Sequence, residues 1–274
     1  FSGIAACLLA TAATAAEQSP SVIWTVGQAD RSASEFALAP DRFRDFLAND
    51  FGYEDKYFLV GHSVPAADFP YVLPGPADTW GGTWPTSGWR THQVNILFGL
   101  KEIPSDGTCT LVVDLLDYAK NFLPLVKVSV NTQDAKFQLD APGLSVADQR
   151  KPNQMEKIVD TLSITGNLAK ATPRRLEIPI RPGVLKAGGN EVTITVLEGS
   201  WILFDRVSLE GPAGTNVEQP QQLFIRNIEA APYELADGKR RVQPLLVDLE
   251  WLEGAPALSV ELDGKEILNQ RFET

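Results

Sequence analysis

Residues 176–211 read LEIPIRPGVLKAGGNEVTITVLEGSWILFDRVSLEG, and this stretch decides the fold. Leu176, Ile178 and Ile180 alternate with Glu177 and Pro179, the two-residue period of a strand with one buried face. Gly188-Gly189-Asn190 then breaks the pattern with residues that tolerate a turn. Val192, Ile194 and Val196 alternate with Thr193 and Thr195, a second strand rich in β-branched side chains. After Gly199, Trp201-Ile202-Leu203-Phe204 is apolar without alternation, which predicts a strand in the middle of a sheet. Strand, turn, strand, turn, strand is the closing section of an antiparallel sandwich. No Ser/His/Asp set, metal-ligand cluster or phosphate loop interrupts it.

Working outward, the same alternation precedes this section at Val94-Ile96-Phe98, Leu111-Val113-Leu115 and Val126-Val128-Val130, and Val22 to Gly27 supplies an opening strand. Pro104-Ser105-Asp106-Gly107 marks a turn. Residues 51–60 read as an aromatic-rich strand. Phe43, Phe46 and Leu47 behind Pro40 read as a short amphipathic helix, and Asn153 with Glu156 as another helix start. A count of about eight to ten strands predicts an all-β, jelly-roll β-sandwich over 22–212, with the strand around Trp24 beside the strand around Phe204. Residues 213–222 form a Gly-, Pro- and Gln-containing linker. Residues 223–274 carry a second β unit, with an Asp263-Gly264 hairpin signal between Leu262 and Ile267. It reads as the truncated start of an immunoglobulin-like sandwich, because so few strands do not close one alone.

The 274 residues carry a net charge of −11, which argues against nucleic acid and anionic membranes as partners. Residues 1–16 include IAACLLATAATAA followed by Glu17-Gln18-Ser19-Pro20, the h-region and small-residue end of a signal peptide. The run is too short to span a membrane. It predicts a secreted or periplasmic protein; the alternative is a lipid anchor through Cys7, which sits in a lipoprotein-like Ile4-Ala5-Ala6-Cys7 box. The start at Phe1 and the end at Thr274 are read as those of a piece of a longer open reading frame. Cys109 lies in an apolar strand and is expected to be a buried, unpaired thiol.

Residues 61–91 depart from the strand pattern: they are long, Gly- and Pro-rich, and aromatic. Trp80, Trp84 and Trp89 would offer indole faces to the C–H surfaces of a sugar, with Asp78, Arg90 and His92 as a hydrogen-bonding rim. The competing role for these tryptophans is to pin a long loop onto the sandwich or a neighbouring domain. His62 and His92 are the only histidines, and neither has a nucleophile or second acid marked beside it, so no catalytic residue is assigned. Asp205 stands inside an apolar strand and requires a partner: a structural Ca²⁺, Arg206 or a backbone N–H. Arg174-Arg175 and Lys239-Arg240-Arg241 are read as solvated strand ends that could pair with uronates.

The segments IWTVGQADRSASEF (23–36), DFPYVLPGPAD (68–78) and 174–211 together resemble the carbohydrate-binding-module-like third domain of family 4 polysaccharide lyases, the rhamnogalacturonan lyases. The resemblance covers about 22–212, apart from an unmatched insert at 146–171. It implies a galactose-binding-type jelly roll, a fold that often carries a structural calcium. The family's catalytic residues belong to a different domain, so none is carried over. The expected function is a non-catalytic accessory segment of a secreted carbohydrate-active enzyme, binding glycan or bracing the catalytic domain of the same longer chain. Alternatives are a purely structural module, or part of the active site of a polysaccharide lyase or glycoside hydrolase. The expected ligand is a polysaccharide or oligosaccharide, with neutral sugars favoured by the acidic net charge.

Overall fold

A computed structural model describes residues 21–45, 57–78, 93–103, 108–140 and 162–273. Two sheets, antiparallel except for one short strand, make the sandwich. The first orders β1 (Ser21–Gly27), β10 (Ile202–Gly211), β5 (Cys109–Tyr118) and β8 (Arg174–Ile180), with the short β3 (Val72–Leu73) also on β10. The second orders β11 (Val217–Glu218), β4 (Gln93–Leu100), β9 (Gly188–Glu198), β6 (Leu125–Val130) and β7 (Gln133–Gln138), with β2 (Tyr57–Leu59) parallel to β4. The pairing expected between the first and last strands is present: Trp24 lies opposite Leu209 and Val26 opposite Val207.

The alternation in the sequence becomes burial. In β8, Leu176, Ile178 and Ile180 are buried and their neighbours exposed. In β9, Val192, Ile194 and Val196 point into the same core. Strand β10 is buried along almost its whole length, as a central strand must be, with β5 on one edge and β1 and β3 in series on the other. Trp24 meets Phe98 across the sandwich at a ring-centroid distance of 5.2 Å, and Phe69 packs edge-on against Phe204 at 5.2 Å. Each such side chain, fully removed from water, contributes about 1.5–3 kcal/mol.

Some expected elements differ. The helix expected around Phe43 is a single 3-10 turn over Phe43–Asp45, and the strand expected over 51–60 is described only as Tyr57–Leu59. The helix start at Asn153 and Glu156, the turn at 104–107, the signal-like segment and Cys7 lie outside the described residues. Strands β7 and β11 were not expected from the sequence. The first alternates polar residues on a half-exposed sheet edge, and the second is two residues long.

Beyond the linker, β12 (Leu223–Ala230) pairs β15 (Leu245–Trp251), β13 (Leu235–Asp237) pairs β14 (Arg240–Val242), and β16 (Ala257–Leu262) pairs β17 (Lys265–Arg271). The Asp263-Gly264 turn has both residues at positive φ, 52° and 74°, as a tight hairpin requires. Among the described residues these are three separate two-stranded pairings. Ile228, Leu235, Leu262 and Ile267 remain more than half exposed.

Among the described residues, this unit meets the sandwich around Phe224 and Arg226. Phe224 packs with Leu59 and Leu97, and Arg226 lies over the Tyr57 ring at 4.2 Å while donating to its hydroxyl at 2.7 Å. The same guanidinium donates to Glu191 at 3.1 Å and to Glu250 at 3.4 Å. At Gly189 an added Cβ would come within 2.1 Å of the Ile225 carbonyl oxygen, so only glycine lets β12 approach β9 this closely.

Candidate functional site

Of the six residues expected to face a sugar, Asp78 is described, while Trp80, Trp84, Trp89, Arg90 and His92 lie outside the described residues. Asp78 is buried. Its Oδ2 accepts from the Gly75 N–H at 2.8 Å, and its Oδ1 takes the Ser200 hydroxyl. The neighbouring Ala77 N–H donates to the Gly199 carbonyl at 2.8 Å. The carboxylate therefore ties residues 75–78 onto the turn between β9 and β10.

The turn itself is built for close approach. Gly199 has φ 82°, and an added Cβ would lie 2.3 Å from the Leu123 carbonyl oxygen. Ser200 N–H donates to the Phe122 carbonyl at 2.9 Å. The chain is next described at Gln93, the first residue of β4, opposite Thr195 of β9. Residues 78 and 93, which flank the tryptophan-bearing segment, thus sit at the end of the sandwich where β9 finishes. Phe122, 41% exposed, adds an aromatic side chain at this end that sequence reasoning did not single out.

A buried polar cluster forms around Asp117 at the end of β5. Asp117 is fully buried and accepts from the Ser163 hydroxyl at 2.6 Å, from the Thr172 N–H at 3.0 Å, and pairs with Lys120 Nζ at 3.1 Å. Lys120 also stands over the Tyr118 ring at 3.0 Å. Burial pushes the Lys120 ammonium below its ordinary range, and the Asp117 carboxylate pulls it partly back. The sequence signal was faint: two charges inside the apolar run 115–120.

Asp205 sits at a β-bulge between Phe204 and Arg206, and its Oδ1 accepts the Arg31 N–H at 3.0 Å. This is the backbone N–H partner expected for it. Arg206 instead pairs with Asp114 at 2.9 Å and Glu210 at 3.5 Å. Burial raises the Asp205 carboxyl to about 6, helped by the carboxylates of Asp30, Asp114 and Glu35 and opposed by the Arg31 N–H. Among the described residues, no three His, Cys, Asp or Glu side chains gather in an arrangement able to hold a metal ion.

The remaining candidates have ordinary surroundings. His62 is exposed on the turn after β2. Arg175 pairs with Glu177 at 2.7 Å and Arg174 with Asp140 at 3.7 Å, while Arg241 pairs with Glu234 at 3.1 Å. Cys109 is buried and unpaired, as expected, and burial raises its thiol above the usual range. Among the described residues no helix is long and apolar enough to cross a membrane.

Comparison with known proteins bears on this geometry. The family described as CBM-like, polysaccharide lyase family 4, domain III, matches residues 22–209, the whole span from β1 to β10. A search of curated proteins returned no match. Among solved structures, one similar chain is a family GH115 4-O-methyl-α-glucuronidase described as having specificity for decorated arabinogalactans. It is 16% identical, with a TM-score of 0.24, over 43% of this chain and 13% of that one. The chain spans only that small part of the enzyme's length.

Proposed function

The chain belongs to the CBM-like family of polysaccharide lyase family 4 domain III, and from that premise we propose that it is a non-catalytic accessory segment of a secreted carbohydrate-active enzyme that binds glycan through residues 78–92. The observation that carries this reading is the anchoring of Asp78 to Ser200. A buried carboxylate holds Asp78, the residue from which the tryptophan-rich segment starts, on one end of the sandwich.

In this reading Trp80, Trp84 and Trp89 supply stacking surfaces, Arg90 and His92 supply hydrogen bonds, and Asp78 positions the segment. Each aromatic platform contributes on the order of 1 kcal/mol, so the affinity is weak for a single domain. The net charge of −11 opposes polyuronates and favours neutral sugars. The parent enzyme is a polysaccharide lyase or a glycoside hydrolase, with its catalytic domain in the same longer chain.

The test is titration of the protein with neutral and acidic oligosaccharides, repeated on Trp80→Ala, Trp84→Ala and Trp89→Ala. Loss of neutral-sugar binding in these variants supports the reading. Binding that survives all three, or that appears only with polyuronates, defeats it. A bracing role is favoured instead by the Arg226 joint, which fixes one β unit against another. Absence of binding to the unsubstituted protein leaves bracing as the function.

A further inference from the structure

The joint between the sandwich and the following β unit encloses a half-open cleft of about 400 Å³. That volume falls within the roughly 300–1,000 Å³ range of small-molecule sites. Its lining includes Gly188 and Gly189 at the start of β9, the linker side chains Gln219, Gln221 and Gln222, and Leu223 of β12. An added Cβ on Gly188 would meet nothing within 4 Å, so the backbone there lies open to a ligand.

We propose that this cleft is a second binding site, for a short neutral oligosaccharide, separate from the tryptophan-bearing segment. The sugar class rests on the function proposed above; the location of the site does not. The chemistry of the lining selects the ligand. The three glutamine side chains are exposed, and among the described residues none of their carboxamides has a hydrogen-bond partner. Each offers a donor and an acceptor side by side, the complement of a sugar hydroxyl, which also donates and accepts. Leu223 and the neighbouring Pro220 and Pro256 give apolar contact for C–H faces. Among the described residues no Lys, Arg or His lines the cleft and Glu218 does, so phosphate and carboxylate ligands lack a counter-charge there and meet a like one.

The walls are set before a ligand arrives. The contact between Gly189 and Ile225 and the Arg226 bonds to Tyr57 and Glu191 hold β12 against β9 and β2. The Gln222 carbonyl accepts the Leu252 N–H at 2.9 Å, which fixes the linker's end while its side chain stays on the cleft. The cleft lies at the Gly188 end of β9 and Asp78, where the tryptophan-bearing segment starts, at the Gly199 end, roughly 35 Å along an extended strand.

The experiment is amide and indole NMR of the isotope-labelled chain, titrated with neutral oligosaccharides of increasing length. The glycine amides of 188 and 189 and the side-chain amides of Gln219, Gln221 and Gln222 are expected to shift. These shifts persist in the Trp80→Ala/Trp84→Ala/Trp89→Ala protein, and the apparent affinity they report drops about tenfold or more in Gln221→Ala/Gln222→Ala, the loss of one or two ligand hydrogen bonds. Shifts confined to the indoles overturn the cleft and leave the tryptophan site standing. Shifts at 188 and 189 that vanish with the tryptophans, or that survive the double glutamine variant, also overturn it. Shifts at the cleft with silent indoles support the cleft and defeat the tryptophan site, and no shift anywhere defeats both.

Discussion

Asp78 and Ser200 stand 122 residues apart in the chain and share a hydrogen bond between carboxylate and hydroxyl in a buried setting. One end of this contact begins the tryptophan-bearing segment, and the other is the turn between two core strands. Ser200→Ala removes one donor from a buried carboxylate, for an expected loss of about 1–3 kcal/mol in unfolding free energy. Sugar affinity is expected to fall in the same variant although every tryptophan remains. Denaturant melts paired with titration check this; a variant that loses stability and keeps full affinity separates the anchor from binding.

Asp205 predicts a pH dependence. Its carboxyl is raised to about 6 in the folded chain, chiefly by burial, whereas an unfolded aspartate titrates near 3.9. The folded state therefore holds this proton more tightly than the unfolded state. Its contribution to stability is fully present below about pH 4 and is lost as pH rises through about 6. Asp205→Asn keeps an acceptor for the Arg31 N–H and removes the titration. The variant is expected to show a flatter stability profile between about pH 4 and 6 and to gain on the order of 1–2 kcal/mol at neutral pH. Equal slopes in the two proteins refute the assignment.

Arg226 is the main polar tie between the two β units. Arg226→Met keeps the apolar stem and removes the bonds to Tyr57, Glu191 and Glu250, leaving those two carboxylates and that of Asp248, 3.8 Å away, without their cation. The expected effect is a joint weakened by roughly 2–4 kcal/mol. Hydrogen exchange should quicken in residues 223–251 while β5, β9 and β10 keep their protection. Uniform acceleration across both units contradicts a local role for this residue.

Cys109 faces Gly211 so closely that a Cβ on the glycine would lie 2.8 Å from its sulfur. Burial also keeps its thiol protonated at neutral pH. Thiol reagents are expected to label this residue only at the rate of global unfolding. Fast labelling of Cys109 in the native protein shows that this end of the sandwich opens on its own.

Much of the architecture follows from local pattern. Leu176, Ile178 and Ile180, or Val192, Ile194 and Val196, alternate because one face of a strand must leave water, and that demand is written in adjacent residues. The apolar run 201–204 announced a central strand for the same reason, and Asp263-Gly264 announced its hairpin through backbone conformation alone. Residues whose role depends on a distant partner were not legible in this way. Asp78 was expected on a ligand-facing rim as a polar residue in a Gly-rich segment, and its burial became visible only with Ser200 beside it. Arg226, in a strand whose pattern marks only its apolar neighbours, became a joint because Tyr57 and Glu191 arrive from two other strands. The cleft at Gly188 exists only because the linker runs beside β4 and β12 then comes back against β9. The sequence by itself determined which faces are apolar and where the chain turns, since both are short-range demands of hydration and backbone sterics. The tertiary structure decided which polar groups are buried, paired or left open, since desolvation and hydrogen bonding depend on what the rest of the chain brings near.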